Sequence, residues 1–79
     1  MTIITINTSV GAFTFRFVDE FDISKQSIAN KIARRLGYPA AAYSVNGSRE
    51  WTVSAGKIID STGRMAISKT VTVYGMGTP

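Results

Sequence analysis

Apolar and polar residues alternate on both sides of a glycine-containing turn near the beginning of the chain. The alternation runs through residues 4–7, breaks at the turn 8–11, and resumes through residues 13–17. A period of two residues is typical of a strand with one buried face, and two such strands around a short turn predict a β-hairpin. The isoleucines and phenylalanines would share the buried face, while Thr14 and Arg16 would lie on the outer face.

The period then changes to that of a helix over Ser24–Leu36, where apolar residues recur four residues apart. Ser24 is a suitable N-cap, because its hydroxyl can accept a hydrogen bond from a free backbone N–H of the first turn. Gly37 can adopt the left-handed conformation that ends a helix, and Pro39 prevents continuation. We therefore predict one helix with well-defined ends.

The second half of the chain predicts shorter strands. Residues 43–45 and 51–53 are separated by a five-residue loop that contains Asn-Gly and form a second candidate hairpin. Residues 70–74 alternate clearly and predict the last strand. Residues 54–67 fit a strand, a turn or a buried loop, and the sequence leaves their structure open.

Size and composition limit the range of functions. A chain of 79 residues has material for one core, which we place in residues 1–75, with a flexible tail at 76–79. With 44% hydrophobic and 18% charged residues, the composition is that of a soluble globular domain. Cysteine and histidine are absent, so disulfides and thiolate metal sites are excluded, and we expect no metal or cofactor. The first residues lack the features of a signal peptide, and we expect a cytoplasmic protein without a membrane segment.

The order of the predicted elements resembles that of the ubiquitin-like β-grasp family. The resemblance is carried by the helix Ser24–Leu36 with the Gly-Tyr-Pro that follows it, by residues 43–47, and by residues 68–73. It implies an α+β fold in which a mixed sheet packs on one α-helix. Modifiers and sulfur carriers of this family act through a C-terminal glycine, and the nearest feature in this chain is Gly75-Met76-Gly77. The resemblance therefore implies a modifier or sulfur carrier processed at Gly77 as one alternative function.

Catalytic residues are hard to find in this sequence. The acidic cluster consists of Asp19, Glu20 and Asp22, which lie between the second strand and the helix. Acidic residues at that position are explained by solvent exposure and by the positive end of the helix dipole. The glycines do not have the spacing of a phosphate-binding loop. We therefore expect a protein that is not an enzyme.

Binding is the remaining class of function, and we expect a non-catalytic interaction module, an adaptor or an inhibitor of a larger protein. The partner would bind the flat, threonine-rich outer face of the sheet or an edge strand. The candidate protein-binding residues are Thr14, Arg16, Ser44, Thr72 and Tyr74. The identity of the partner and the oligomeric state stay open.

Nucleic-acid binding is the alternative that the charge favours. The chain carries nine basic and five acidic residues, a net charge of +4, and several of the cations fall on the helix. The candidate nucleic-acid-binding residues are Lys25, Lys31, Arg34 and Arg35. Trp51 and Tyr74 are the aromatic side chains that could stack on bases from an open sheet face, although we favour a core position for Trp51.

Overall fold

The computed structural model describes residues 1–47 and 49–75. Within these residues the chain forms five strands and one α-helix, with a single 3₁₀ turn, Glu20–Asp22, before the helix. In chain order the elements are β1 (Thr2–Thr8), β2 (Gly11–Phe17), α1 (Lys25–Leu36), β3 (Ala40–Val45), β4 (Glu50–Ile58) and β5 (Met65–Tyr74). The predicted tail at 76–79, including Gly77, lies outside the described residues.

The strands form one sheet in the order β2-β1-β5-β4-β3, and α1 packs on one face of it. A small α+β domain with one sheet and one helix is thus confirmed. Every strand pairing in the described part of the chain is antiparallel, whereas we predicted a mixed sheet. The reason is that α1 returns the chain so that β3 runs in the same direction as β2, and two hairpins then bring β5 antiparallel to β1. Membership of the ubiquitin-like β-grasp stays a prediction.

The first hairpin and the helix follow the sequence pattern closely. β1 and β2 pair from Thr2↔Phe17 to Thr8↔Gly11, as the alternation predicted. The helix begins after Ser24, whose hydroxyl accepts a hydrogen bond from the Ser27 backbone N–H at 3.1 Å. It ends at Gly37, which has a φ of 96° in the left-handed region.

Residues 54–67, which the sequence left open, belong to one long hairpin. β4 and β5 pair from Glu50↔Tyr74 to Ile58↔Met65, with a register shift at Ala55/Gly56. The shift leaves Ser68 of β5 as an extra residue without a partner in β4, as in a β-bulge. Position 56 requires glycine, because a Cβ there would overlap the backbone carbonyl of Ala66.

The core lies between the inner face of the sheet and one side of α1. The helix contributes two isoleucines and two alanines, and the strands contribute aromatic and β-branched residues. The buried hydrophobic residues are Ile6, Phe15, Phe17, Ile28, Ala29, Ile32, Ala33, Trp51, Val53, Ala55, Val71 and Val73. Phe13 and Ile4 are only half-buried and pack against the margin of this core. The predicted core position of Trp51 is therefore confirmed, and β4 and β5 supply five of these twelve residues, against three from the first hairpin.

Candidate functional site

A groove lies between α1 and β2, at one edge of the sheet. The helix packs mainly on β3 and β4, at the other side of the molecule, and so leaves space beside β2. The groove has a volume of about 700 Å³. Its lining residues are Ile3, Thr14, Phe15, Arg16, Lys31, Arg34 and Arg35, and we call this site the basic groove.

Two of the groove cations lie over aromatic rings of β2. The Arg35 Cζ atom is 5.2 Å from the centroid of the Phe15 ring, and the Lys31 Nζ atom is 5.0 Å from that of Phe17. The spacing of the two cations along α1 matches that of the two rings along β2, because four residues of helix rise about 6 Å and two residues of strand rise about 6.7 Å. Two successive turns of α1 thus place one cation each over two successive inward-facing rings. Cation–π attraction holds both side chains at this wall of the groove.

Arg35 also reaches the open edge of β2. Its Nη2 atom lies 3.4 Å from the backbone carbonyl oxygen of Thr14, to which it donates a long hydrogen bond. β2 is the last strand of the sheet, and its backbone groups that do not bond to β1 are open to side chains such as that of Arg35. The guanidinium has five N–H groups, and this one contact leaves others directed at the groove.

The basic groove holds the net charge of the protein. Four of the nine basic residues line it, and the five others are equal in number to the five acidic residues. In residues 1–47 and 49–75 the one ion pair joins Arg64 to Asp60, with 3.2 Å between Nε and Oδ2, at the β4–β5 turn. The groove cations therefore lie together without a carboxylate partner in the described structure. Their fields add in a concave site, which attracts anions.

The dipole of α1 explains only part of this arrangement. Arg34 and Arg35 are in the last turn, where cations are favoured by the negative end of the helix. Arg16 comes from a strand, and the dipole gives no reason for its place opposite the helix. The helix dipole therefore does not account for the presence of cations from both α1 and β2 in the groove.

Three of the four predicted nucleic-acid-binding residues lie together in the structure, and the fourth lies elsewhere. Lys31, Arg34 and Arg35 do line one site, but Lys25 does not lie in it. The Lys25 Nζ atom is 6.0 Å from the centroid of the Trp51 ring, on the β4 side of the molecule. Lys25 is ten residues before Arg35 on α1, about 15 Å along the helix axis, so the two cannot share one small groove.

The predicted protein-binding residues lie on the face of the sheet that α1 does not cover, which we call the outer face. Cross-strand pairing of Ser44 with Thr52, and of Thr52 with Thr72, places these side chains in one row. Tyr74 is 46% exposed on the same face. The two other members of the set are Thr14 and Arg16, which also line the basic groove because β2 is an edge strand.

Arg16 is the groove residue whose role the sequence pattern missed. Alternation assigned it to the outer face, opposite the helix, and its neighbours Phe15 and Phe17 are indeed buried. On an edge strand, however, a long side chain can reach around the margin of the sheet. The signal that could have identified it is the position of β2 at the end of the sheet, which the sequence does not give.

Trp51 and Asp19, a member of the acidic cluster, have structural roles. Trp51 is buried, its ring meets that of Tyr43 edge to face at a centroid distance of 5.8 Å, and it cannot stack on a base from the outer face. Its Nε1 atom has no hydrogen-bond partner in the described part of the protein. The Asp19 carboxylate accepts a hydrogen bond from the Phe21 N–H at 3.0 Å and so caps the 3₁₀ turn.

The described residues contain neither a metal-binding cluster nor a membrane-spanning helix. No three side chains of the Asp, Glu, His or Cys type lie close enough together there to hold a metal ion. The helix formed by these residues falls short of the length and apolar character needed to cross a membrane. Comparison of the chain with protein-family models, curated proteins and solved structures gave no match.

Proposed function

We propose that this protein is a non-catalytic binding module that holds the phosphate backbone of a nucleic acid in the basic groove. The observation that supports this proposal is the convergence of four cations from α1 and β2 in one concave site, without an acidic partner in the described residues. Three of them are arginines, whose planar guanidinium matches two phosphate oxygens at once. Contacts from cations to phosphates form whatever the base, so binding through them should depend little on sequence.

Salt dependence tests this proposal directly. If all four groove cations contact phosphates, the logarithm of the binding constant should fall with the logarithm of salt concentration with a slope of about −3.6 for duplex DNA or about −2.8 for a single strand. The measurement is fluorescence anisotropy of labelled single-stranded and duplex oligonucleotides, titrated with the protein at several KCl concentrations. Binding that is absent at low salt, or that does not respond to salt, would contradict the proposal.

A pair of variants locates the contact. Arg16→Gln with Arg34→Gln removes two groove cations that make no ring contact in the described structure. We expect the salt slope to become shallower by about one for each residue. The matched control is Lys57→Gln with Lys69→Gln, which makes the same change in net charge at exposed positions of β4 and β5. If both double variants lose affinity equally, binding depends on net charge alone and the groove is not the site.

The outer face supports a second candidate, which is an adaptor or inhibitor that binds a larger protein. It is favoured by the shared row of Ser44, Thr52 and Thr72 on a face that α1 leaves uncovered. Thr72→Arg with Ser44→Arg would block a protein partner on this face and leave the basic groove intact. Recovery of one stoichiometric partner from source cells, lost in this variant and insensitive to salt, would favour the protein partner over nucleic acid. The third alternative, a modifier or sulfur carrier, depends on Gly77, which is outside the described residues.

A further inference from the structure

The edge of the sheet opposite the basic groove is formed by β3, and its backbone is open. The Asn46 N–H donates to the Glu50 carbonyl at 3.3 Å, which sets the alternation of inward and outward groups along β3. The backbone N–H and carbonyl groups of Ser44 therefore point towards β4. The same groups of Tyr43 and Val45 point away from the sheet. The backbone carbonyl of Ala41 also points away from the sheet, and it already accepts a hydrogen bond from the Gln26 side chain at 3.1 Å.

Apart from the Gln26 contact at Ala41, β3 lacks in the described structure the devices that usually protect an edge strand. Proteins block open edges with charged side chains, proline, bulges or covering segments. Residues 40–45 carry no charge and no proline, and β3 pairs with β4 without a register shift. Tyr43 and Val45 are also partly exposed apolar residues, at 42% and 58%. This edge is therefore a ready template for another strand.

We infer that the partner of β3 is the β3 strand of a second copy of this chain, so that the protein forms a symmetric dimer through one continuous sheet. In an antiparallel pairing that sets Tyr43 against Val45 of the second copy, each pair exchanges two backbone hydrogen bonds. This register uses the two open residues that Gln26 does not reach. It also pairs an aromatic with a β-branched side chain, which is a favourable cross-strand combination.

The charge distribution is compatible with a second copy at this edge. Each copy carries a net charge of +4, concentrated in the basic groove at the β2 edge. Two copies that meet through β3 keep their grooves at opposite ends of the joined sheet, where repulsion is weakest. An acidic partner would instead be drawn to the groove. The dimer does not depend on what the groove binds, although two grooves on one particle would raise the affinity for a long polyanion.

The test is sedimentation equilibrium of the full chain over a wide range of protein concentration. We expect the average mass to rise from that of the monomer to twice that value, and Val45→Lys to remain monomeric because it places a charge at the pairing edge. The matched control is Val18→Lys, which makes the same substitution at a position that is 87% exposed and away from β3. This control should dimerise as the wild type does, and circular dichroism should show that both variants are folded.

Amide hydrogen exchange identifies the edge that is used. The amides of Tyr43 and Val45 should become protected as the dimer forms, while those of Thr14 and Arg16 on the β2 edge should not. A wild-type protein that is monomeric at every concentration overturns the inference, as does a dimer that Val45→Lys leaves intact. If the protein is monomeric alone but captures a different protein through Val45, the edge binds a heterologous strand and the second copy is the wrong occupant.

Discussion

The two edges of the sheet differ in how they are protected, although both are antiparallel strands beside the same helix. On the β2 edge, Arg35 lies over Phe15 and donates to the Thr14 carbonyl, and Arg16 adds a second cation. On the β3 edge, the α1 side chain that bonds to the strand backbone in the described structure is the neutral Gln26. The cations of the β2 edge thus have two effects: they discourage strand addition, and they concentrate positive charge in the basic groove.

The difference begins with the position of α1. The helix packs on β3 and β4, where Trp51 and Val53 are fully buried, and leaves the β2 side open enough for a groove. The long side chains Lys31 and Arg35 cross that space to reach the rings of β2. A closed apolar half and an open basic half therefore result from one off-centre helix.

The largest expected effect comes from removing the aromatic anchor of the closed half. Trp51→Ala deletes a fully buried side chain beneath the helix and should lower the free energy of unfolding by about 3–5 kcal/mol. The total for a domain of this size is only about 4–12 kcal/mol. Urea unfolding followed by circular dichroism measures the change. Where the variant unfolds, both the closed half and the basic groove should be lost together.

Trp51→Phe is the control for this prediction. It retains an aromatic ring and removes the Nε1–H group, which lacks a hydrogen-bond partner in the described residues. An unpaired buried donor costs about 1–3 kcal/mol, and its loss should offset much of the lost packing. We expect a net decrease of about 1 kcal/mol. A loss as large as that of alanine would mean that the indole N–H is satisfied and that this interpretation is incorrect.

The sequence predicted the closed half better than the open one. Periodicity located β1, β2 and α1, because burial on one face leaves a direct trace in residue type. It could not locate the groove, since the groove depends on the distance between α1 and β2, and on the place of β2 at the end of the sheet. Arg16 shows the consequence: its assignment to the outer face was reasonable for any strand, and the edge position gave it access to the groove.

The β4–β5 hairpin was missed for a different reason. The register shift leaves Ser68 as an extra residue in β5, so the period of two is interrupted in that strand. In β4, Gly56 is buried next to Ala55 because the Ala66 backbone lies close to it, and this contact cannot be read from one strand alone. The alanines of β3 are similarly poor strand formers that pairing with β4 places in the sheet.

A smaller effect distinguishes the groove cations that stabilise the fold from those that would only bind nucleic acid. Arg35→Gln removes a cation–π contact and the hydrogen bond to Thr14, and should lower the free energy of unfolding by about 0.5–1 kcal/mol. Arg34→Gln should cost less than this, because Arg34 contributes favourable charge at the end of α1 but makes no ring contact within the described structure. Both variants should weaken nucleic-acid binding to a similar degree. Urea unfolding and anisotropy on the same preparations check the prediction, and equal stabilities would mean that Arg35 does not hold the β2 edge.

The smallest effect concerns the β4–β5 turn, which belongs to neither edge and serves as an internal reference. The Asp60 carboxylate accepts hydrogen bonds from the Thr62 hydroxyl at 2.6 Å and from the Arg64 N–H at 3.2 Å. These bonds hold the pKa of Asp60 below its ordinary value of 3.8, and the bond from the Thr62 side chain has the largest effect. A lowered folded-state pKa means that the carboxylate stabilises the fold above pH 3.8, and that this contribution is lost as the pH falls through the folded-state pKa. Asp60→Asn should therefore reduce the loss of stability of the protein in acid, measured by thermal unfolding across this range, without changing anisotropy at neutral pH. A variant that altered nucleic-acid binding would show that the turn is coupled to the groove.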